Sequence, residues 1–301
     1  MISWSNVEQL PVQSYRERRP AAKLAGYVTC IWMQQVASDA SPYTHRTIPN
    51  GSAELVCEQG LLPRVIGPQT GPIEETRAPG LTVVGARFRP GAVSALLGLP
   101  AVDFVDVAFD ADEVWGDAAV ALGEAVGAAR SPEAGAAALE SMILRRLDEA
   151  ALVPDPIAIE AARRLMQRQG GGLIRVASSL NISARQLRRR CETATGFTPK
   201  VLQRIIRFQA FVALAQTRPK SSGELAWLAA EAGYADQAHL ARESNRLAGH
   251  PPGTLLLETH KHCGAFHDHA VSHGPLLASL GALEEVGSAG RWDRSPELGS
   301  R

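Results

Sequence analysis

Apolar and polar positions follow two rhythms along this chain. Between Ser14 and Arg89 they come in short β-branched and aromatic runs separated by turn residues. Gly26 to Met33 (GYVTCIWM) is one run, Ala53 to Cys57 (AELVC) alternates after the turn at Pro49-Asn50-Gly51, and Leu81 to Phe88 (LTVVGARF) ends at Pro90-Gly91. Runs of that length with Gly and Pro punctuation predict the strands of a small β-barrel or sandwich. From Ala92 the spacing turns helical. Helices are predicted around residues 112–126 and 132–150, the second capped by Ser131 with Pro132 at its first position. Leu139, Ile143 and Leu147 recur on one face of that helix. The stripe is read as packing on its own domain, with a dimer seam as the alternative use. Val153-Pro154-Asp155-Pro156 disfavours helix and marks a stiff linker. Gly, Ser, Pro and charge dominate at the C-terminal end, which reads as a flexible tail.

Beyond the linker, one pattern occurs twice. Residues 173–180 (LIRVASSL) form a short helix with Ile174, Ala177 and Leu180 on its apolar side. Asn181-Ile182-Ser183 breaks it, because Asn tolerates the left-handed conformation of a sharp turn, and Ser183 then caps residues 184–195. Leu187, Cys191 and Ala194 face inward there, leaving Arg185, Arg188 and Arg189 outside. Some fifty residues later, residues 223–232 form a helix with Leu225, Leu228 and Ala229 inside; Gly233 turns the chain, Tyr234 plugs the corner and Asp236 caps residues 237–246. Gln237, His239 and Arg242 are left free on that helix. Each half is a helix-turn-helix whose second helix suits the major groove. Between them, Thr198-Pro199 starts a helix through Gln216, with Arg204 and Arg207 expected outside. Its seventeen residues from Lys200 span about 25 Å, a rod able to hold two recognition helices near the groove repeat of about 34 Å.

Charge strengthens this reading. The chain of 301 residues is neutral overall, with 31 basic and 31 acidic residues. Residues 155–260 nevertheless hold 15 Lys and Arg against 8 Asp and Glu, so the remainder is acidic by the same margin. A basic module attached to an acidic one fits DNA binding, where neutralised phosphates release counterions. The four cysteines lie far apart with no CxxC pair, which suits a reducing cytoplasm. Neither a membrane span nor a secretory signal is visible.

The C-terminal third resembles the DNA-binding domain of the AraC/XylS family of bacterial transcription regulators. The resemblance rests on residues 187–191 (LRRRC) with 196–200 (GFTPK), Arg204, Arg207-Phe208, residues 229–240 (AAEAGYADQAHL) and residues 249–253 (GHPPG). It implies base-contacting positions at Arg185, Arg188, Arg189, Gln237, His239 and Arg242; Arg204, exposed on the rod, is separately expected to bind DNA without sequence preference. Arginine can fork onto guanine O6 and N7, and glutamine can pair with adenine N6 and N7. The chain departs from the family by placing Cys191 and Ser244 where a buried phenylalanine is usual, and Ser244 also brings a hydroxyl that needs a partner. The first 130 residues resemble more faintly the sensor domain of one branch of the family, through residues 25–32, 48–55 and 84–91. That implies a cupin-like barrel that senses a small molecule or mediates association, with Trp32, Tyr43, His45 and Arg87 as candidates to line a pocket.

The expected architecture is α+β in two domains. A β-rich sensor occupies 1–110, a helical connector 111–153, an all-α domain with two helix-turn-helix motifs 154–260, and a flexible histidine-containing tail 261–301. Expected partners are double-stranded DNA and a small-molecule effector, with RNA polymerase and a second copy of the chain left open. The expected location is the cytoplasm, with no membrane, cofactor or metal site. Two rivals remain. A DNA-repair-type enzyme fused to the same module would need a reactive thiol, but Cys30 and Cys57 lie inside apolar strands. A metallo-cupin lacks ligands, since His45 is the only histidine before His239, and no Gly-x-Ser-x-Gly elbow exists for a hydrolase. A metal-responsive regulator could use His260, His262, Cys263, His267, His269 and His273.

Overall fold

The protein is described by a computed structural model covering residues 13–149, 153–166, 173–217, 224–263 and 267–281. Its N-terminal half supplies β1 (Gln13–Arg18), β2 (Val28–Val36), β3 (Tyr43–Thr47), β4 (Glu54–Glu58), β5 (Arg64–Ile66), β6 (Ile73–Arg77), β7 (Thr82–Phe88) and β8 (Ala108–Asp110). A ninth strand, β9 (His267–Asp268), arrives from near the C-terminus. The three runs read from the sequence became β2, β4 and β7, the middle of a sheet ordered β8-β5-β4-β7-β2-β1-β9. β3 and β6 pair separately as a two-stranded sheet. Among the described residues no pairing joins the two sheets or closes the large one, so the β-rich domain stands as expected but its closure into a barrel is not confirmed.

Four helices cover one face of the large sheet: α1 (Val93–Leu97), α2 (Asp112–Trp115), α3 (Asp117–Gly127) and α4 (Pro132–Glu149). Ser131 Oγ caps α4 by accepting from the Ala134 amide at 3.2 Å. Leu139 and Ile143 are completely buried, together with Leu122, Trp115 and the sheet residues Ile31, Leu55 and Phe88. The Trp115 indole donates to the Leu96 carbonyl at 3.2 Å. The stretch read as a connector is therefore core material of the N-terminal domain, because its apolar stripe meets the sheet directly.

After the linker come α5 (Pro156–Met166), α6 (Leu173–Ser179), α7 (Ala184–Thr195), α8 (Pro199–Gln216), α9 (Glu224–Glu231), α10 (Gln237–Ala248), α11 (Pro252–Cys263) and α12 (Ala270–Ser279). Asp155 Oδ1 caps α5 through the amides of Ile157 and Ala158. A second core gathers around α8, whose Leu202, Ile205, Phe208 and Phe211 are fully buried. Part of the expected flexible tail is ordered. β9 pairs in parallel with β1, α12 packs against α8, and Leu277 enters the second core. The segment thus straps one domain to the other, and sequence periodicity could not show this because its partners are distant in the chain.

Candidate nucleic-acid interface and ligand cavity

The first helix-turn-helix is α6 and α7. Val176 and Ala177 are buried in α6, whereas Ile174, expected inside, is 76% exposed; the helix is rotated so that Val176 fills the core. Asn181 adopts φ 54°, the left-handed turn its residue type predicted. Ser183 and Gln186 form a reciprocal cap, each side chain bonding the other's backbone amide at 3.2 and 2.9 Å. Leu187, Cys191 and Ala194 face inward, and burial pushes the Cys191 thiol up to about 12. Arg185, Arg188 and Arg189 are exposed. Arg188 Nε lies 2.9 Å from Glu192 Oε1 one turn on, with most of its side chain still exposed. Arg190 turns away to pair with Asp155 in the linker.

The second unit is α9 and α10, built on the same plan. Leu228, Ala229, Leu240 and Leu247 are buried, and Asp236 Oδ1 caps α10 by accepting from the His239 amide at 2.6 Å. Gln237 and Arg242 are exposed. His239 is half-buried, its ring edge-on to Tyr234 at 5.2 Å, so it is less free than expected. Ser244 is completely buried and its hydroxyl donates to the His250 carbonyl at 2.7 Å, which answers the partner problem the sequence raised. Arg204 and Arg207, expected outside, are half-buried. Arg204 Nε forms an ion pair with Glu243 of α10 at 3.0 Å, and the Arg207 guanidinium sits over Tyr234 at 5.7 Å from the ring centre. Both tie the rod α8 to the second unit, because the side of α8 that bears them faces α9 and α10 rather than solvent.

The N-terminal domain grips this assembly at several points. Ile48 and Val105 pack into the second core. Gln209 of α8 donates to the Pro49 carbonyl at 2.7 Å, and Ser94 of α1 donates to the Thr193 carbonyl of α7 at 3.2 Å. A cavity of about 780 Å³ lies between the two sheets, with Gln209, Val212 and Gln216 of α8 on its far wall and His269 and His273 beside β1. Trp32, His45 and Arg87, three of the four pocket candidates, line it; the Tyr43 side chain lies outside the described residues.

A polar network that the sequence did not announce crosses one wall. Arg87 reaches Glu54 at 2.8 Å and Glu17 at 3.2 Å, and Glu54 accepts from the Asn50 amide group at 2.8 Å. Glu17 also accepts from the Tyr15 hydroxyl at 2.9 Å and from the Ser272 amide and hydroxyl at 2.8 and 2.9 Å. Burial works to raise the Glu17 pKa, but His269, Arg87 and Ser272 hold it well below the usual carboxylate range. Burial, reinforced by neighbouring His269, depresses His273 to about 3. The only sequence signal for this network was a polar residue at inward strand positions 17, 54 and 87. His269 and His273 thus face the cavity, stacked 5.2 Å apart, and the described residues include no group of three metal-capable side chains. The side chains of His260, His262, Cys263 and His267 lie outside the described residues.

No curated protein matches the chain in sequence. Among solved structures, ToxT from Vibrio cholerae aligns over 81% of this chain and 98% of its own, at 10% identity and a TM-score of 0.43. ToxT from the same organism bound to an unsaturated fatty acid aligns over 81% and 94%, at 11% identity and a TM-score of 0.39. No helix among the described residues is long and apolar enough to cross a membrane. Residues 16–110 match a family profile described as a domain of unknown function (DUF6597), and residues 176–257 match one described as a helix-turn-helix domain. Those C-terminal residues form an AraC-type helix-turn-helix domain.

Proposed function

We propose that the protein reads two successive major-groove segments of DNA and that a small molecule in the cavity sets how well it does so. The observation that carries the first part is the exposure of Arg185, Arg188, Arg189, Gln237 and Arg242 on two capped helices whose apolar faces share one core around α8. His239 contributes from its half-buried position at the start of α10. Such helices offer forks to base edges, while the rigid rod between them keeps one half-site in step with the other.

The second part is supported by where the cavity sits. Its walls come from both sheets and from α8, so a ligand would touch the sensor and the rod at once. We take residues 13–149 as the sensing unit and 155–263 as the DNA-binding unit, with the strap after residue 266 joining them. Arg204 supports the second recognition helix through its ion pair with Glu243, and its remaining guanidinium donors can reach the phosphate backbone beside it.

Selection of bound fragments from random DNA, using the full chain, tests the reading. The expected result is a bipartite motif whose halves lie about one helical turn apart, roughly 10–10.5 base pairs. Recovery of sequences without a shared motif would end it.

A further inference from the structure

The two faces of the large sheet are covered in different ways. Helices α1 to α4 seal one face with fully buried side chains such as Leu122, Leu139 and Ile143. Strand alternation and register place Tyr15, Glu17, Cys30, Trp32 and Arg87 together on the other, which faces the cavity. At the β1 end, that face is covered by residues 267–281. Val271 of α12 packs on the cluster of Tyr15, Cys30, Trp32 and Val83, and Leu277 reaches the core around α8. Four rings stack in a row from the sheet to this segment: Trp32 on Tyr15 at 5.8 Å, Tyr15 on His269 at 4.6 Å, and His269 on His273 at 5.2 Å. All four line the cavity, so the segment is part of its wall.

The segment holds on by few contacts. β9 offers two residues to its pairing with β1. Leu277 is the one buried residue of α12. Gly274 and Pro275 lie inside that helix; glycine is a poor helix former, and proline has no N–H to give to the Val271 carbonyl. A short helix of this composition takes its order from docking rather than from its own backbone. The docking turns on Glu17, whose side chain is completely buried. Its two oxygens accept from the Ser272 amide at 2.8 Å and the Ser272 hydroxyl at 2.9 Å. From the sheet side, the Tyr15 hydroxyl and Arg87 hold the same carboxylate in place. A buried carboxylate needs such partners, and Ser272 supplies two of them.

We propose that residues 267–281 are a detachable lid on the cavity, latched to the sheet by the Glu17–Ser272 bonds, and that lifting the lid opens the β1 side to small molecules. The opening is local: the segment leaves while the sheet and α8 stay folded. Regulation of an effector through this entrance rests on the reading of the cavity given above; the lid itself does not require it. Cys30 reports the opening, since it is completely buried in the cluster that Val271 covers. Cys57 is the internal control, equally buried but on the face sealed by helices.

Labelling of the full-length protein with N-ethylmaleimide under native conditions tests this, with each cysteine followed by mass spectrometry. Cys30 should react about tenfold or more faster than Cys57, because a local opening is more frequent than a global one. Ser272→Ala should speed Cys30 by about five- to tenfold, the loss of one hydrogen bond, and leave Cys57 unchanged. Arg16 and Asp268 are partners across β1 and β9. Replacing both in an Arg16→Cys, Asp268→Cys variant and oxidising it should lock the segment and slow Cys30 to the rate of Cys57, while the same variant kept reduced should retain the faster rate. Cys30 reacting as slowly as Cys57, no response to Ser272→Ala, or a locked protein whose Cys30 reacts as fast as the reduced one overturns the lid. If the disulfide does not form, the unaltered protein and Ser272→Ala decide alone. The labelling uses neither DNA nor a ligand, so its failure is distinct from a failure to recover a shared operator motif.

Discussion

The two helix-turn-helix units share a plan but are held by different neighbours. In the first, the C-terminal end of α7 rests on the N-terminal domain: Ser94 bonds the Thr193 carbonyl, and Gly196 lies against Val105 and Ala101. In the second, α10 is braced by α8 through Arg204, Glu243, Arg207 and Tyr234, and its nearest glycine meets the N-terminal domain only at Pro72. The difference is one of degree: α7 leans on the N-terminal domain through a hydrogen bond and close packing, whereas α10 touches it at Pro72 and is held mainly by α8.

The largest effect that can sharpen this contrast comes from the paired C-cap glycines. Gly196 and Gly249 end α7 and α10 with φ of 77° and 74°, where any Cβ is strained. At Gly196 a Cβ would also come within 2.6 Å of Val105 and 3.1 Å of the Ala101 carbonyl; at Gly249 the nearest atom is Pro72 Cγ at 3.5 Å. Gly249→Ala should cost about 1–2 kcal/mol from backbone strain alone. Gly196→Ala should cost a further 1–3 kcal/mol, roughly, as the domains are forced apart. Urea melts of both variants decide the matter, and equal costs would show that α7 does not lean on the sensor as described.

The reading surfaces come next. Arg188→Ala and Arg242→Ala should each remove about 1–3 kcal/mol of discrimination, each at its own half of the operator. Binding to operators with one half scrambled measures this. A loss spread evenly over both halves for either variant would contradict separate reading heads.

Acid should loosen the sensor from α8 while leaving the Ser94–Thr193 contact intact, since that contact contains no titrating group. His273 binds a proton near its ordinary value of 6.5 when unfolded but only near 3 when folded. Between those values the unfolded state holds more protons, so stability present at neutral pH is lost as pH falls, by at most about 1.4 kcal/mol per pH unit from this one group. Glu17, whose pKa is lowered by folding, acts in the same direction below its ordinary 4.5. His273→Gln should flatten the dependence between pH 6.5 and 4.5. An unchanged slope in thermal melts would remove His273 from the account.

The smallest effect concerns the brace. Arg204→Ala should weaken the second half-site selectively and cost about 1 kcal/mol of stability, because a half-buried ion pair contributes little more. Uniform weakening across unrelated DNA sequences would instead identify Arg204 as a phosphate contact.

Much of the DNA-binding unit was legible because its signals are local. Caps at Ser183, Thr198 and Asp236 depend on residues three positions away, and the structure places the corresponding bonds at 3.2, 3.3 and 2.6 Å. Asn181 in its left-handed turn and the inward set Leu187, Cys191 and Ala194 follow from the same short range. Ile174 misled because an apolar residue at helical spacing does not say which of two adjacent faces the core selects. The short strands β5, β6 and β8 carry too few residues to display alternation, so only β2, β4 and β7 stood out individually.

Sequence alone thus settled the existence of two capped, arginine-bearing helices and the split between a β-rich and an all-α half, since both arise from contacts close in the chain. Tertiary structure decided the fates of Arg204, Glu17 and Ser272. Arg204 turned from a surface cation into a brace when α10 brought Glu243 to it, and Ser272 joined Glu17 across 255 positions. The physical reason is that a side chain's charge state and freedom depend on what packs beside it, and hydrophobic periodicity reports which face is buried without reporting against whom.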